Sequence, residues 1–142
     1  MDSYKLICSA LIKGLNGAGV PAEFSKINDI AVDGKKISGS AQTRKDGALL
    51  QHGTLLLDTN IEKMFTVLKV PKEKLKDKGI KNVKERVAPL RISKNEAIKA
   101  VKSGFSGVFG ALEESKLTME ELTAAAKLSK GRYSNKEWNF RR

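Results

Sequence analysis

The 142-residue sequence has one cysteine, Cys8, and one histidine, His52. That leaves no room for an internal disulfide, a zinc site built from Cys and His, or a triad with histidines to spare. Any chemistry falls to lysine, carboxylates, amides and backbone groups. No apolar run approaches the ~20 residues a membrane helix needs, and the N-terminus lacks a cationic segment leading into an apolar stretch and a cleavage site. These absences predict a cytoplasmic protein with no membrane association. Acidic residues are scarce as well: 16 Asp and Glu stand against 27 Lys and Arg, a formal net charge of +11. Such an excess points to an acidic partner surface, though it does not choose among nucleic acid, anionic lipid, phosphate and acidic protein. With 40% hydrophobic and 30% charged residues, the balance is that of a folded chain, and the length suits one domain of ~100 to 200 residues.

The residues present divide the chain by periodicity. Tyr4, Ile7, Cys8, Leu11, Ile12 and Leu15 recur at helical spacing, and Gly17, Gly19 and Pro21 stop that helix. Cys8 lies within the apolar stripe and reads as a small buried hydrophobe. From about Ala22 to Asp58 the pattern becomes that of strands, with Asp33-Gly34 and Asp46-Gly47 suited to tight hairpins. Strands are expected near Asp29 to Val32, Lys35 to Thr43 and Ala48 to Leu57. Strict alternation along the middle one puts Lys36, Ser38, Ser40 and Gln42 on one face and Ile37, Gly39 and Ala41 on the other. A glycine inside a strand marks a bulge, a packing gap or the close approach of a ligand, so Gly39 hints at a binding surface.

Ile61 to Leu68 reads as a short helix capped by Asp58 or Asn60, and Pro71 opens a further basic helix or extended segment. Lys69 to Arg86 is dense in lysine and reads as a solvated charged face. Ser93 with Glu96, and Thr118 with Glu121, form two capping boxes, each ahead of a helix. Ala97, Ile98, Val101, Phe105, Val108 and Phe109 supply the apolar face of the first; Leu122, Ala125, Ala126 and Leu128 carry the second to Gly131. The tail from Tyr133 through Trp138 to Arg142 is polar with isolated aromatics. The pattern predicts an α/β (α+β) protein, an antiparallel meander with flanking helices. It divides into residues 1–90, a helix plus meander, and residues 91–142, a helical C-terminal part.

Two stretches in order, Asn28-Asp29-Ile30-Ala31-Val32-Asp33-Gly34-Lys35-Lys36-Ile37-Ser38-Gly39-Ser40-Ala41-Gln42 and Gln51-His52-Gly53-Thr54-Leu55-Leu56, resemble the lipoate-protein ligase A family. The resemblance runs on through Lys78-Gly79-Ile80-Lys81-Asn82-Val83-Lys84-Glu85-Arg86-Val87 and into Tyr133-Ser134 and Trp138-Asn139-Phe140. It implies a biotin/lipoate ligase-type catalytic domain. The family's arginine-bearing, glycine-rich segment has no counterpart here, so the chain resembles the C-terminal half of that domain. The resemblance therefore implies a heterodimer with a separately encoded N-terminal half, inactive alone.

The implied reaction activates lipoate with ATP to lipoyl-AMP, then passes the acyl group to a lysine of a lipoyl domain. Lys36 matches the motif lysine and is the catalytic candidate, contacting both the α-phosphate and the lipoate carboxyl; Lys35, its neighbour, points to the opposite face. Asp29 matches the carboxylate that helps hold Mg2+ on the nucleotide, and Asn28 and Gly39 complete the ATP-binding set. Ser38 and Ser40, taken to share the Lys36 face, are the lipoate-binding candidates. His52 is read as a structural hydrogen-bonding residue. Where the family often has Gly-Arg before Asn-Asp, this chain has Lys26-Ile27. The related octanoyltransferase branch uses a nucleophilic cysteine near this point, and none lies between Phe24 and Lys36, so the resemblance favours the ligase. Two rivals remain: a non-catalytic basic binding module using Lys69 to Arg86 and Arg141-Arg142, which carries no recognisable nucleic-acid motif, and a regulatory remnant of the ligase fold.

Overall fold

The computed structural model describes residues 2–68 and 84–141. They form two compact units, Met1–Leu112 and Glu113–Arg142. In the first unit, α1 (Asp2–Gly17) leads into β1 (Ala22–Phe24), β2 (Asp29–Val32), β3 (Lys35–Lys45) and β4 (Ala48–Leu55), followed by α2 (Ile61–Val67) and α3 (Lys94–Phe109). In the second, α4 (Met119–Leu128) runs into a π-helical turn, Ser129–Tyr133, and then α5 (Lys136–Asn139). The helix or extended segment expected after Pro71, and most of the charged face expected over Lys69 to Arg86, lie outside the described residues. The boundary falls after Leu112 because α3 packs on α1 and belongs with the sheet.

The sheet is a four-stranded antiparallel meander in the order β1-β2-β3-β4, the three strands placed from the sequence plus β1. Both Asp-Gly turns form as read. Asp33 and Gly34 have φ of 49° and 71°, and Asp46 and Gly47 have 52° and 75°. Two consecutive positive φ values match the right-handed twist of the flanking strands. The second turn fixes the β3–β4 register, from Lys45 opposite Ala48 through Ala41 opposite His52 to Gly39 opposite Thr54.

Alternation fails at one place. Ile30 pairs with Ser38 but Ala31 pairs with Lys36, so Ile37 is an extra residue in β3, a β-bulge. Cross-strand partners share a face, so Lys36 and Gly39 lie with Ala31 and Asp29, whereas Ser38 lies with Ile30. The expectation that Lys36, Ser38 and Ser40 share a face is therefore corrected: the bulge inverts the pattern between Lys36 and Ser38. Ser38 is buried, in company with Ile30 and Ile37, on the side covered by α1.

The core gathers Cys8, Leu15, Val20, Ala22, Ile30, Ile37, Leu90 and Ala100. Each large aliphatic side chain fully buried there contributes roughly 1.5 to 3 kcal/mol. The buried face of α3 also differs from the expected one. Ala97, Ala100 and Gly104 are buried, whereas Ile98 and Phe109 are about half exposed, at 45% and 50%. The cause is a close helix crossing. A Cβ on Gly14 would stand 1.9 Å from the Ala100 carbonyl oxygen, and one on Gly104 would stand 2.0 Å from that of Ala10. Only small residues permit that approach, so the small stripe takes the core. Both capping boxes form, at Ser93 with Glu96 and at Thr118 with Glu121. Among the described residues no helix is long and apolar enough to cross a membrane.

Candidate functional site

The sheet carries a shallow concavity lined by Asn28, Lys36, Gly39, Ser40, Ala41, His52, Gly53 and Thr54. At its centre Lys36 Nζ lies 2.7 Å from Asp29 Oδ1. The bulge places the two on one face, and Gly39 lets the lysine lie flat across the sheet. A Cβ at position 39 would come within 2.8 Å of Lys36 Nζ, 2.9 Å of its Cε and 3.3 Å of Asp29 Oδ1. Of the two readings of a strand glycine, close approach is the one realised, and what approaches is the lysine itself.

The backbone of Lys36 is held from both sides. Ala31 of β2 is its partner on one flank. On the other, β4 has ended, and the segment following the undescribed residues takes its place in parallel, pairing Val87 with Lys36. Lys36 N donates to the Arg86 carbonyl at 2.7 Å, and Ala88 N donates to the Lys36 carbonyl at 3.1 Å. A second parallel bridge joins Leu57 and Leu90. The motif containing Arg86 and Val87 thus clamps the lysine's main chain.

Asn28 is tied to Ser40 by two bonds: its Nδ2 donates to the Ser40 carbonyl, and Ser40 N donates to the Asn28 carbonyl at 3.1 Å. Its amide nitrogen is thereby committed to structure, leaving Oδ1 as the group it can offer a ligand. Just before it, Ile27 has φ 63° and is 66% exposed. For a β-branched residue this left-handed conformation is strained by roughly 1 to 2 kcal/mol. That strain falls at one of the two positions where the chain departs from the family pattern.

Asn28, Asp29, Lys36 and Gly39 are thus brought together. Ser38 is not: it is buried on the α1 side, whereas Ser40, bonded through its backbone to Asn28, lines the concavity without sharing the face of Lys36. The places beside the lysine are taken by Ala41, His52 and Thr54. Thr54, part of the second motif, was given no role from the sequence, although the Asp46-Gly47 hairpin register puts it opposite Gly39. Cys8 is 1% exposed, and burial pushes its thiol up, against opposing hydrogen bonds with Ser40 and Gln51.

Among the described residues no cluster of three metal-ligating side chains exists. Magnesium carried on a nucleotide needs only one or two carboxylates, the other ligands being phosphate and water oxygens. The single carboxylate Asp29, only partly exposed and paired with Lys36 through Oδ1, is compatible with that requirement.

The lipoyl protein ligase A/B catalytic domain profile matches residues 1–106. The chain belongs to this family. Among its relatives, the octanoyltransferase LipM of Brevibacillus brevis is 34% identical over 99% of this chain and 62% of its own length. A bipartite lipoate protein ligase of Thermoplasma acidophilum, studied with its E2 lipoyl domain, superposes with a TM-score of 0.85 at 32% identity, covering 97% of this chain and 57% of that one. A lipoate-protein ligase A bound with ATP gives a TM-score of 0.83 at 28% identity, with 97% and 58% covered. The chain therefore spans under two thirds of the length of the family members it matches, and the mixed helix and antiparallel-sheet fold is that of the solved ligases.

Proposed function

We propose that this chain supplies the lysine-bearing part of an ATP-dependent lipoate-protein ligase, working with the remainder of the catalytic domain as a second subunit. The observation that carries the reading is the Lys36 site: one ammonium, clamped at its main chain and aimed across Gly39 toward Asp29, on an open sheet face. Activation brings two anions together, as a lipoate carboxylate oxygen bonds to the α-phosphorus of ATP and pyrophosphate leaves. A fixed cation between carboxylate and α-phosphate offsets their repulsion and the charge that builds on the phosphoryl oxygens. Lys36 is that cation. Asp29 orients it before substrate arrives and would hold a magnesium ion, which neutralises charge on the phosphates. Thr54 and the Oδ1 of Asn28 offer hydrogen bonds at the rim, and Gly39 leaves room for the Lys36 side chain to cross the sheet to Asp29. In the second step the amine of an acceptor lysine attacks the acyl carbon and AMP leaves.

Relatives bearing the octanoyltransferase name favour a second reading, acyl transfer through an enzyme thioester. That route needs an accessible thiolate. The sole cysteine lies on α1, buried in the core, and burial favours its thiol form, which supports ligation.

The need for a second subunit also finds support in the sheet. Among the described residues β4 is an eight-residue edge strand with Leu50 62% exposed, and such an edge suits a pairing partner. The test is lipoyl-AMP formation from ATP and lipoate by the chain alone and by the chain co-expressed with the missing portion of the domain. The mixture is expected to form the adenylate and the chain alone to form none. Equal rates would overturn the split-enzyme reading.

A further inference from the structure

The second unit carries a feature that the ligase chemistry does not use. Arg132 and Arg141 cover the Trp138 ring, with guanidinium carbons 3.8 Å and 4.0 Å from its centroid. Tyr133 meets the same indole edge-on at 5.7 Å. The π-helical turn Ser129–Tyr133 delivers Arg132 and Tyr133 to the ring, and a widened turn of this type frequently marks a functional position. Asn139 Nδ2 donates to the carbonyls of Tyr133 and Asn135, both at 3.0 Å, and closes the tail onto the turn.

Charge around the stack is one-sided. From residue 127 to 142, Lys127, Lys130, Arg132, Lys136, Arg141 and Arg142 stand against Glu137 alone. Among the described residues none of these cations is in an ion pair. Stacking fixes each guanidinium plane while leaving its N–H edge free to fork onto a carboxylate.

We propose that the Arg132–Trp138–Arg141 stack is a docking surface for the acidic face of the acceptor lipoyl domain. A permanent intrachain interface would bury apolar surface, whereas this patch is rich in uncompensated cation and in the Arg, Trp and Tyr that dominate transient recognition. A partner that must bind, be acylated and leave suits an electrostatic contact of this kind. The inference rests on the ligase reading.

Trp138 is the only tryptophan in the chain, so its fluorescence reports on the site directly. The experiment titrates the full chain with a tryptophan-free, acidic apo-lipoyl domain over a salt series, and measures adenylate formation separately in the co-expressed enzyme. The expected result is a saturable change in Trp138 emission, with affinity falling as salt rises. Arg132→Gln and Arg141→Gln should each weaken binding at least about threefold and the pair about tenfold. Arg132→Lys, which keeps the charge but loses the planar fork, should fall between wild type and Arg132→Gln. Unchanged affinity in the double variant overturns the proposal, as does a response to an RNA oligonucleotide but none to the lipoyl domain. Adenylate formation without patch-dependent binding would remove this inference and leave the ligase reading standing. Patch-dependent binding without adenylate formation would do the reverse.

Discussion

Gly39→Ala is the substitution on which the site geometry makes its most specific demand. The glycine has no positive φ, so the backbone accepts alanine, and the entropy lost by the unfolded chain favours the variant by roughly 0.4 to 1 kcal/mol. The new methyl would stand 2.8 Å from Lys36 Nζ and 2.9 Å from Cε, where unstrained heavy-atom contacts lie near ~3.5 to 4 Å. The lysine is flexible and 44% exposed, so it yields, withdrawing by about 1 Å and stretching its contact with Asp29. A displacement of about 1 Å can cost around 10²-fold in rate, or about 2.7 kcal/mol in the barrier. Little stability goes with it, because a partly exposed ion pair is worth at most ~1 kcal/mol. The assay is lipoate-dependent ATP–pyrophosphate exchange in the co-expressed enzyme beside thermal melting of the chain. The expectation is near-wild-type melting with exchange reduced about a hundredfold. Wild-type exchange would refute the argument, and so would a matching collapse of stability, since the loss would then be one of fold.

Other substitutions test the scaffold. Gly14→Ala or Gly104→Ala drives a methyl into a carbonyl oxygen of the facing helix; each should destabilise by at least ~2 kcal/mol in urea unfolding, and an unchanged midpoint would contradict the close crossing. Ile27→Gly removes the left-handed strain at φ 63°, and the entropy of the added glycine offsets part of the gain, so a rise of up to about 1 kcal/mol is expected; a fall would deny the strain. The carboxyls of Glu96 and Glu121 are held below their ordinary value by hydrogen bonds from Ser93 and Thr118. A carboxyl depressed in the folded state stabilises above its unfolded pKa and loses that contribution as pH falls through the folded one. Helicity should therefore decline from about pH 4.3, the unperturbed Glu value, downward. Ser93→Ala should cost about 1 kcal/mol at neutral pH and flatten that acid dependence.

How far the site could be read depended on which signals are local. Turn chemistry is local: Asp33-Gly34 and Asp46-Gly47 formed the hairpins read from them, and the second fixed the register that sets His52 and Thr54 near Lys36. Capping boxes are local too, and both stand where Ser93 and Thr118 placed them. The bulge at Ile37 is not local. It arises where β2 pairs with β3 while Lys36 pairs on its other side with Val87, some fifty residues later, and no spacing within β3 records that. The expectation that Ser38 and Ser40 share the face of Lys36 failed for this reason, and Ser38 is buried. The small stripe of α3 was missed similarly: hydrophobicity ranks Ile98 and Phe109 above Ala100 and Gly104, whereas the distance between two helix backbones decides which is buried. That Asn28, Asp29, Lys36 and Gly39 lie together was legible because the motif resemblance does not depend on register.

In the proposed ligase reaction Lys36 acts without a covalent cysteine intermediate. The most direct test compares Lys36→Met and Cys8→Ala in the co-expressed enzyme, measuring lipoyl-AMP formation and acyl transfer to an apo-lipoyl domain. Lys36→Met is expected to abolish adenylate formation while Cys8→Ala retains both steps, at a cost in stability of about 1 kcal/mol for the lost buried sulfur. Adenylate formation undiminished in Lys36→Met, or acyl transfer lost in a folded Cys8→Ala variant, would contradict it.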